Sequence, residues 1–189
     1  METWRRGLQK KIRGENVVGM KVSCKNLNGD DFSQQKLRNA DFSFADLRRC
    51  EFHTADLFEA DFEGAMLQDA NFRGSRLKKA NLHKALMHRA NLQKTLLRLA
   101  SLDGAILVEA QLEGANLVEA DLEGADMQFA RLHGADLSGA NLAVSDLRGA
   151  LYNSKTKWPE GFDPLEHGAI PVHWSNEPDV DIETAKDQD

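Results

Sequence analysis

Six histidines and thirty acidic side chains are the groups in this 189-residue chain with the means to hold a metal or move a proton. A metal site needs three or four such ligands converging on one point, usually announced by short fixed spacings. Acid–base work needs a carboxylate or histidine poised in a cleft. The chain carries no Cys-x-x-Cys, His-Glu-x-x-His, Gly-x-Ser-x-Gly or phosphate-binding glycine loop. Whether His53, His83, His88 and His133 meet anyway depends on the elements that carry them.

Those elements are set by a five-residue register. From Phe32 to Tyr152 a large apolar residue recurs at every fifth position without insertion, with a small residue two places before it. On an α-helix, residues five apart lie about 140° apart around the axis, so the leucines would spread over the whole surface. On a flat strand an odd spacing would send successive leucines to opposite faces. A chain that turns a corner every five residues points each central residue inward, and its stacked coils hydrogen-bond into a closed tube. The register therefore predicts a solenoid.

Near a corner there is little room for a second inward side chain, and alanine fills nearly every small position, with Cys50, Ser75, Thr95 and Ser145 as substitutes. Bulk occurs there only at Asp30 and Gln35. The residue between small and large faces outward and is often Asp or Asn, as at Asp41, Asp56, Asn71, Asn91, Asp121 and Asn141, whose short side chains suit bonds to turn amides. The segments "ADLFE", "ANLHK", "ANLVE", "ADLEG", "ADLSG" and "ANLAV" resemble the pentapeptide repeat family, whose consensus is Ala-(Asp/Asn)-Leu-x-x. The resemblance covers about two thirds of the chain. It implies an all-β solenoid, a right-handed quadrilateral β-helix with four pentapeptides per coil. About six coils stacked at roughly 4.8 Å would make a rod near 30 Å long.

With four sides per coil, side one stacks Phe32, Phe52, Phe72, Leu92, Leu112, Leu132 and Tyr152, and side three stacks Phe42, Phe62, Leu82, Leu102, Leu122 and Leu142. Side two is leucine throughout, from Leu37 to Leu137. Side four runs Leu47, Leu67, Met87, Leu107, Met127 and Leu147. Phenylalanine is confined to the N-terminal half, so the two halves are expected to pack differently.

The register divides the chain into an N-terminal cap and first irregular coil over residues 1–29, the β-helix over 30–154, a C-terminal cap over 155–174 and an acidic disordered tail over 175–189. Trp4, Leu8 and Ile12 lie at helical spacing and suggest a helical N-terminal cap over an otherwise unpaired coil edge. "TKWPEGFDP" supplies Trp158 and Phe162 among turn formers; it resembles the ending of pentapeptide repeat proteins of cyanobacterial and plant type. The last fifteen residues hold six acids against Lys186 and almost no bulk. With no apolar run near eighteen residues and no hydrophobic leader, the cytoplasm is the expected compartment. Cys24 and Cys50 are then expected as free thiols.

On this tube the histidines point apart: His83 and His88 fall on adjacent sides, and His53 and His133 lie about four coils from each other along side one. The packed interior offers no cleft, so no enzyme, cofactor or metal is expected. Charge is banded along the rod. Residues 41–69 carry eight acids against Arg48 and Arg49, and residues 103–148 carry nine against Arg131 and Arg148. Between them, residues 70–102 have no acid at all but hold a basic belt of Arg73, Arg76, Lys78, Lys79, Lys84, Arg89, Lys94 and Arg98. Side four also places Met66, Leu86 and Ile106 at one outward site in three successive coils, with Val108 and Phe129 beside them; a contiguous apolar strip of this kind marks an interface.

The functional expectation is a non-enzymatic protein–protein interaction module, a rigid rod that offers its apolar side and basic belt to a protein partner or a second copy. Some pentapeptide repeat proteins protect DNA gyrase by mimicking duplex DNA and so give quinolone resistance. The resemblance makes that the alternative. A 30 Å mimic needs roughly 18 negative charges, whereas residues 30–152 have nineteen acids and fourteen bases. Only the C-terminal half approaches duplex density, and the chain lacks the projecting loops of some gyrase-protecting relatives. Nucleic acid and membrane are not expected partners.

Overall fold

The computed structural model describes residues 18–172. The expected helix with Trp4, Leu8 and Ile12, and the acidic segment 175–189, lie outside these residues. Within them each pentapeptide makes one main-chain bridge, buries one large side chain, turns, and buries one small side chain before the next bridge. Parallel bridges join each residue to the one twenty places on, from Lys21↔Asp41 to Arg131↔Leu151. Four pentapeptides thus close one coil, as the resemblance to pentapeptide repeats implied. The side of a coil is so short that only Leu151–Tyr152 (β1) and Ile170–Pro171 (β2) run on as strands, paired in parallel.

The hydrogen bonds explain why the register tolerates no insertion. In one representative corner the Phe52 amide donates up to Asn71 O at 2.7 Å, Asn71 N donates down to Cys50 O at 2.9 Å, and Ala55 N closes the turn on Phe52 O at 3.0 Å. An extra residue would break all three bonds. The outward Asp and Asn side chains accept from the amide two residues on, as Asp61 does from Glu63 at 3.0 Å and Asn116 from Val118 at 3.1 Å. The second residue after each large one lies in the left-handed region, with φ between 51° and 60° wherever it is not glycine. Glycine is common there because it adopts that conformation without strain. At Gly64 and Gly149 glycine is required twice over, since an added Cβ would lie 2.6 Å from the ring of Phe44 or Phe129 in the coil before. Each exposed ring rests on bare backbone.

The interior is dry and close-packed. Phe52 stacks between Phe32 and Phe72 with centroids at 5.0 and 4.8 Å, and meets Phe42 and Phe62 edge-on at 5.5 and 5.6 Å. From Leu77 onward the same space is filled by leucine and methionine. At the C-terminal end Trp158 meets Tyr152 edge-on at 5.4 Å and stacks on Phe162 at 5.4 Å, so two aromatic rings close the open core. This cap uses the Trp158 and Phe162 anticipated from the turn-rich segment.

One boundary is corrected. The regular coil begins at Lys21, not at residue 30, and Val22 and Leu27 are buried in the same columns as the later large residues. Met20 and Lys25 occupy the small positions of those two corners and obscured the pattern in the sequence. Lys25 fits because it stands exposed at the end of the stack.

Cys24 and Cys50 are free thiols, Cys24 exposed and Cys50 buried. Burial pushes the Cys50 thiol up to about 12, and its Sγ reaches Leu27 O at 3.1 Å. Ellman's reagent is expected to label one cysteine, Cys24, in the native protein and the second only after unfolding, with an unfolding midpoint indifferent to reductant. Two fast-reacting thiols, or a reductant-dependent midpoint, would contradict this packing.

Candidate interaction surfaces

The five-residue turn lifts two kinds of side chain off the rod: the bridge residue on the flat of each side and the two turn residues at the corner that follows. On side four the bridge column reads Asp46, Met66, Leu86, Ile106, Asp126. Met66, Leu86 and Ile106 are consecutive in it, as expected. They are half-buried, however, and do not stand free in water, because each is flanked by its neighbours one coil above and below. Val108 is half-buried too. Phe129 is 58% exposed but leans on Gly149 toward the C-terminal end of the rod, displaced from the strip. The expected apolar side is therefore a shallow three-residue ladder with a separate aromatic beyond it.

The basic belt divides into paired and unpaired members. Arg89 makes a bidentate bridge to Asp69 at 2.8 and 2.9 Å, Lys79 lies 3.6 Å from Glu59 and Arg98 lies 3.3 Å from Glu119. The Arg89 guanidinium, through its hydrogen bonds, holds the Asp69 carboxyl below the usual carboxylate range. Among the described residues Arg73, Arg76, Lys78, Lys84 and Lys94 form no ion pair. Arg73 and Lys94 lie in successive coils at the corner between sides one and two, Arg76 lies on the flat of side two, and Lys78 lies at the corner that follows it.

Gly74 leaves a notch in the corner of Arg73 and Lys94. An open hollow of about 480 Å³ lies over it, lined by Glu51, His53, Thr54, Asn71, Arg73, Gly74 and Lys94. Its one carboxylate is already engaged, since Glu51 Oε2 accepts from Asn71 Nδ2 at 2.7 Å and sits 3.3 Å from His53 Nδ1. Beside it on side two, Phe58 carries Arg38 at 4.5 Å and Lys79 at 5.9 Å over its ring. Such stacking holds cations at the surface without neutralising them.

The coil also sorts charge in a way that linear bands concealed. Lys36, Arg38, Arg76, Lys78, Lys79, Arg98 and Lys157 fall on side two, against Asp56, Glu59, Glu119 and Asp136, which leaves it net positive. Asp41, Asp61, Glu63, Asp103, Asp121 and Glu123 fall on side three, with Lys21 and Lys84 as the cations there. Adjacent sides thus carry opposite net sign. Twenty-residue spacing was the available signal, and reading the bands along the chain missed it.

The histidines are dispersed as expected. His83 Nδ1 and Ser101 Oγ both bond the Asp103 carboxylate, and these two bonds, Ser101 first, keep Asp103 below the usual carboxylate range against the opposing effect of burial. The serine proton is committed to the carboxylate and not to the imidazole. The trio therefore activates no nucleophile, for which the base must face the hydroxyl. Among the described residues no three His, Cys, Asp or Glu side chains gather as metal ligands, and no helix is long and apolar enough to cross a membrane.

Comparison with solved structures finds pentapeptide repeat proteins. HetL, involved in heterocyst differentiation regulation in the cyanobacterium Nostoc sp. strain PCC 7120, is 25% identical over 86% of this chain and 90% of its own, with a TM-score of 0.34. Another pentapeptide repeat protein of Nostoc PCC 7120 is 33% identical over 66% of this chain and 86% of its own, with a TM-score of 0.33. QnrB1, a plasmid-mediated fluoroquinolone resistance protein, is 19% identical over 82% and 90%, with a TM-score of 0.44. No curated protein sequence matches significantly. The family model for pentapeptide repeats matches eight copies over residues 26–53, 55–93, 85–117 and 105–143, the span in which the bridges recur every twenty residues. The chain belongs to the pentapeptide repeat family, whose fold is the right-handed β-helix.

Proposed function

We propose that this protein is a non-enzymatic interaction module, a rigid cytoplasmic rod that docks an acidic surface of a protein partner against the basic face that runs from Arg73 and Lys94 at one corner over Arg76 to Lys78 at the next. The observation that carries this reading is that these four cations, in a chain of net charge −6, form no ion pair among the described residues. Arg89, by contrast, is neutralised by Asp69 across coils, at little energetic consequence. Arg73 and Lys94 at the notch and Arg76 and Lys78 beside it raise the local potential and steer an anionic partner toward this face. The ladder of Met66, Leu86 and Ile106 gives a second contact for a partner that wraps the rod, or for a second copy. Two free cysteines support the reducing compartment. Binding of this kind weakens with ionic strength, since exposed charges are screened beyond about 8 Å in physiological salt. The double variant Arg73→Glu, Lys94→Glu tests it: partner capture is expected to fall with unchanged melting, and capture indifferent to both salt and substitution would reject it.

Side three supports the second reading, a DNA-mimicking modulator of gyrase. Its six acids lie between residues 41 and 123, about 19 Å of axis at roughly 4.8 Å per coil. That is about one charge per 3 Å, near the 3.4 Å of a single strand and half the density of a duplex. Side two, next to it, has the wrong sign for a mimic. Gyrase supercoiling is accordingly expected to be unaffected at protein concentrations near those of the enzyme. Strong inhibition, weakened by charge reversal at Asp121 and Glu123, would reverse the ranking.

A further inference from the structure

The ladder of main-chain bonds stops short on two of the four sides at the C-terminal end. In the coil beneath, Leu122 N, Gly124 N and Met127 N each donate upward at 2.8 Å, to Asn141 O, Ala143 O and Asp146 O, while Ala120 O and Ala125 O accept from Asn141 N and Asp146 N at 2.9 Å. One coil on, the equivalent amides of Leu142, Val144 and Leu147 and the carbonyls of Ala140 and Ser145 have no main-chain partner among the described residues. Sides one and two are closed by the Arg131↔Leu151, Asp136↔Lys157 and Leu151↔Ile170 pairings. Residues 158–168 then pass over the core with Trp158 and Phe162 and meet sides three and four through a single main-chain bond, Gly149 N to Gly168 O at 2.9 Å. Among the described residues, 140–147 form an open sheet edge.

A second, independent feature sits on that edge. Val144 is 85% exposed and holds φ at +51°. The corner imposes this conformation, as it does on β-branched Thr54, while eight corners from Gly64 to Gly149 use glycine. Among the described residues the Val144 side chain stands over Gly124 and is otherwise open, so it offers an apolar contact at the unpaired edge.

We infer that Ala140–Leu147 is a docking edge that takes an extended, basic segment of a partner protein by strand addition. Donors on Leu142 and Val144, two residues apart, with the Ala140 carbonyl beside them, are the groups that in the coil beneath pair with the next extended segment, and an added strand can take their place over side three. Val144 supplies an apolar contact for one alternate side chain. The partner segment is basic because the surroundings are acidic. Asp121 and Glu123 lie directly beneath and bond Asn141, Glu160, Asp163 and Glu166 lie in the crossing segment, and Arg148 is engaged by Asp146. The same charge disfavours a second copy, whose equivalent edge is equally acidic.

The inference rests on the reading of the rod as an interaction module but uses a different surface from the basic face. Its test is amide hydrogen exchange on the ¹⁵N-labelled full chain with the peptide acetyl-Lys-Val-Lys-Val-Lys-Val-amide. The Leu142 and Val144 amides are expected to exchange freely in the free protein and to slow at least tenfold at saturating peptide, and a peptide N-methylated at alternate residues is expected to give no protection. Val144→Gly relieves the strained φ, so it is expected to fold as well or better while binding the peptide about tenfold more weakly, the effect of losing one buried valine contact. Amides already protected without peptide would overturn the inference. So would peptide binding that leaves them unprotected, which would be charge attraction alone, or protection that grows with protein concentration, which would identify a second copy. Failure of the peptide with salt-sensitive capture intact at Arg73 and Lys94 rejects the edge alone; failure of capture with the peptide bound rejects the basic face alone.

Discussion

Phe52→Ala is expected to destabilise the protein by about 3–5 kcal/mol, the range for removing a fully buried phenylalanine and leaving its cavity. Phe52 is completely buried and touches four other rings, stacked between Phe32 and Phe72 and edge-on to Phe42 and Phe62. The backbone around it cannot collapse into the space, because each coil is fixed to the next by bonds such as Phe52 N to Asn71 O at 2.7 Å. Stacked and edge-on ring pairs add stabilisation beyond their buried area, which the variant also loses. Leu112→Ala, in the same column but surrounded by aliphatic side chains, is expected to cost about 2–5 kcal/mol, nearer the lower end. Chemical denaturation of the two variants measures both. Equal losses would show that the phenylalanine stack contributes no more than any other layer.

Leu86→Glu is the most informative surface substitution. Leu86 lies in the bridge column between Met66 and Ile106 and is half-buried by them. A glutamate there forfeits part of an apolar contact, so a stability loss of about 1 kcal/mol is expected, more than the few tenths typical of an open surface position. Its effect on association is expected to be much larger. A charge left unpaired in a dry contact costs several kcal/mol, enough to abolish capture or self-association through this side. Thermal unfolding, light scattering and pull-down of the same variant separate the two effects. Strong destabilisation with association unchanged would assign the ladder to the fold's own packing.

The fold was legible because one constraint repeats: every fifth residue from Phe32 to Tyr152 must fill the same tube, and any slip would break the corner bonds of a whole coil. Legibility failed where that constraint is relaxed. At Met20 and Lys25 bulky residues take the small positions near the end of the stack, so the first corners did not read as repeats. The ladder of Met66, Leu86 and Ile106 was visible as a column, but its depth was not, since coils stacked this closely shield bridge residues that an isolated strand would expose. Landing sites such as Gly149 beneath Phe129 link residues twenty apart at a corner, and neither residue departs from the repeat by itself. The open edge at Leu142 and Val144 was beyond the sequence for a different reason. "ANLAV" is an ordinary repeat, and the path of residues 158–168 leaves it without a main-chain partner above it among the described residues.

The central claim, that a basic face without ion pairs of its own among the described residues recruits an acidic protein partner, is tested most directly by quantitative affinity capture with the wild-type chain and the variant Arg73→Glu, Arg76→Glu, Lys78→Glu, Lys94→Glu, followed by reconstitution of the captured protein with each purified chain. The predicted result is a discrete acidic protein that binds the purified wild type in a salt-dependent manner and is lost by the variant, while both chains melt at the same temperature. An identical set of proteins captured by both chains would contradict the claim.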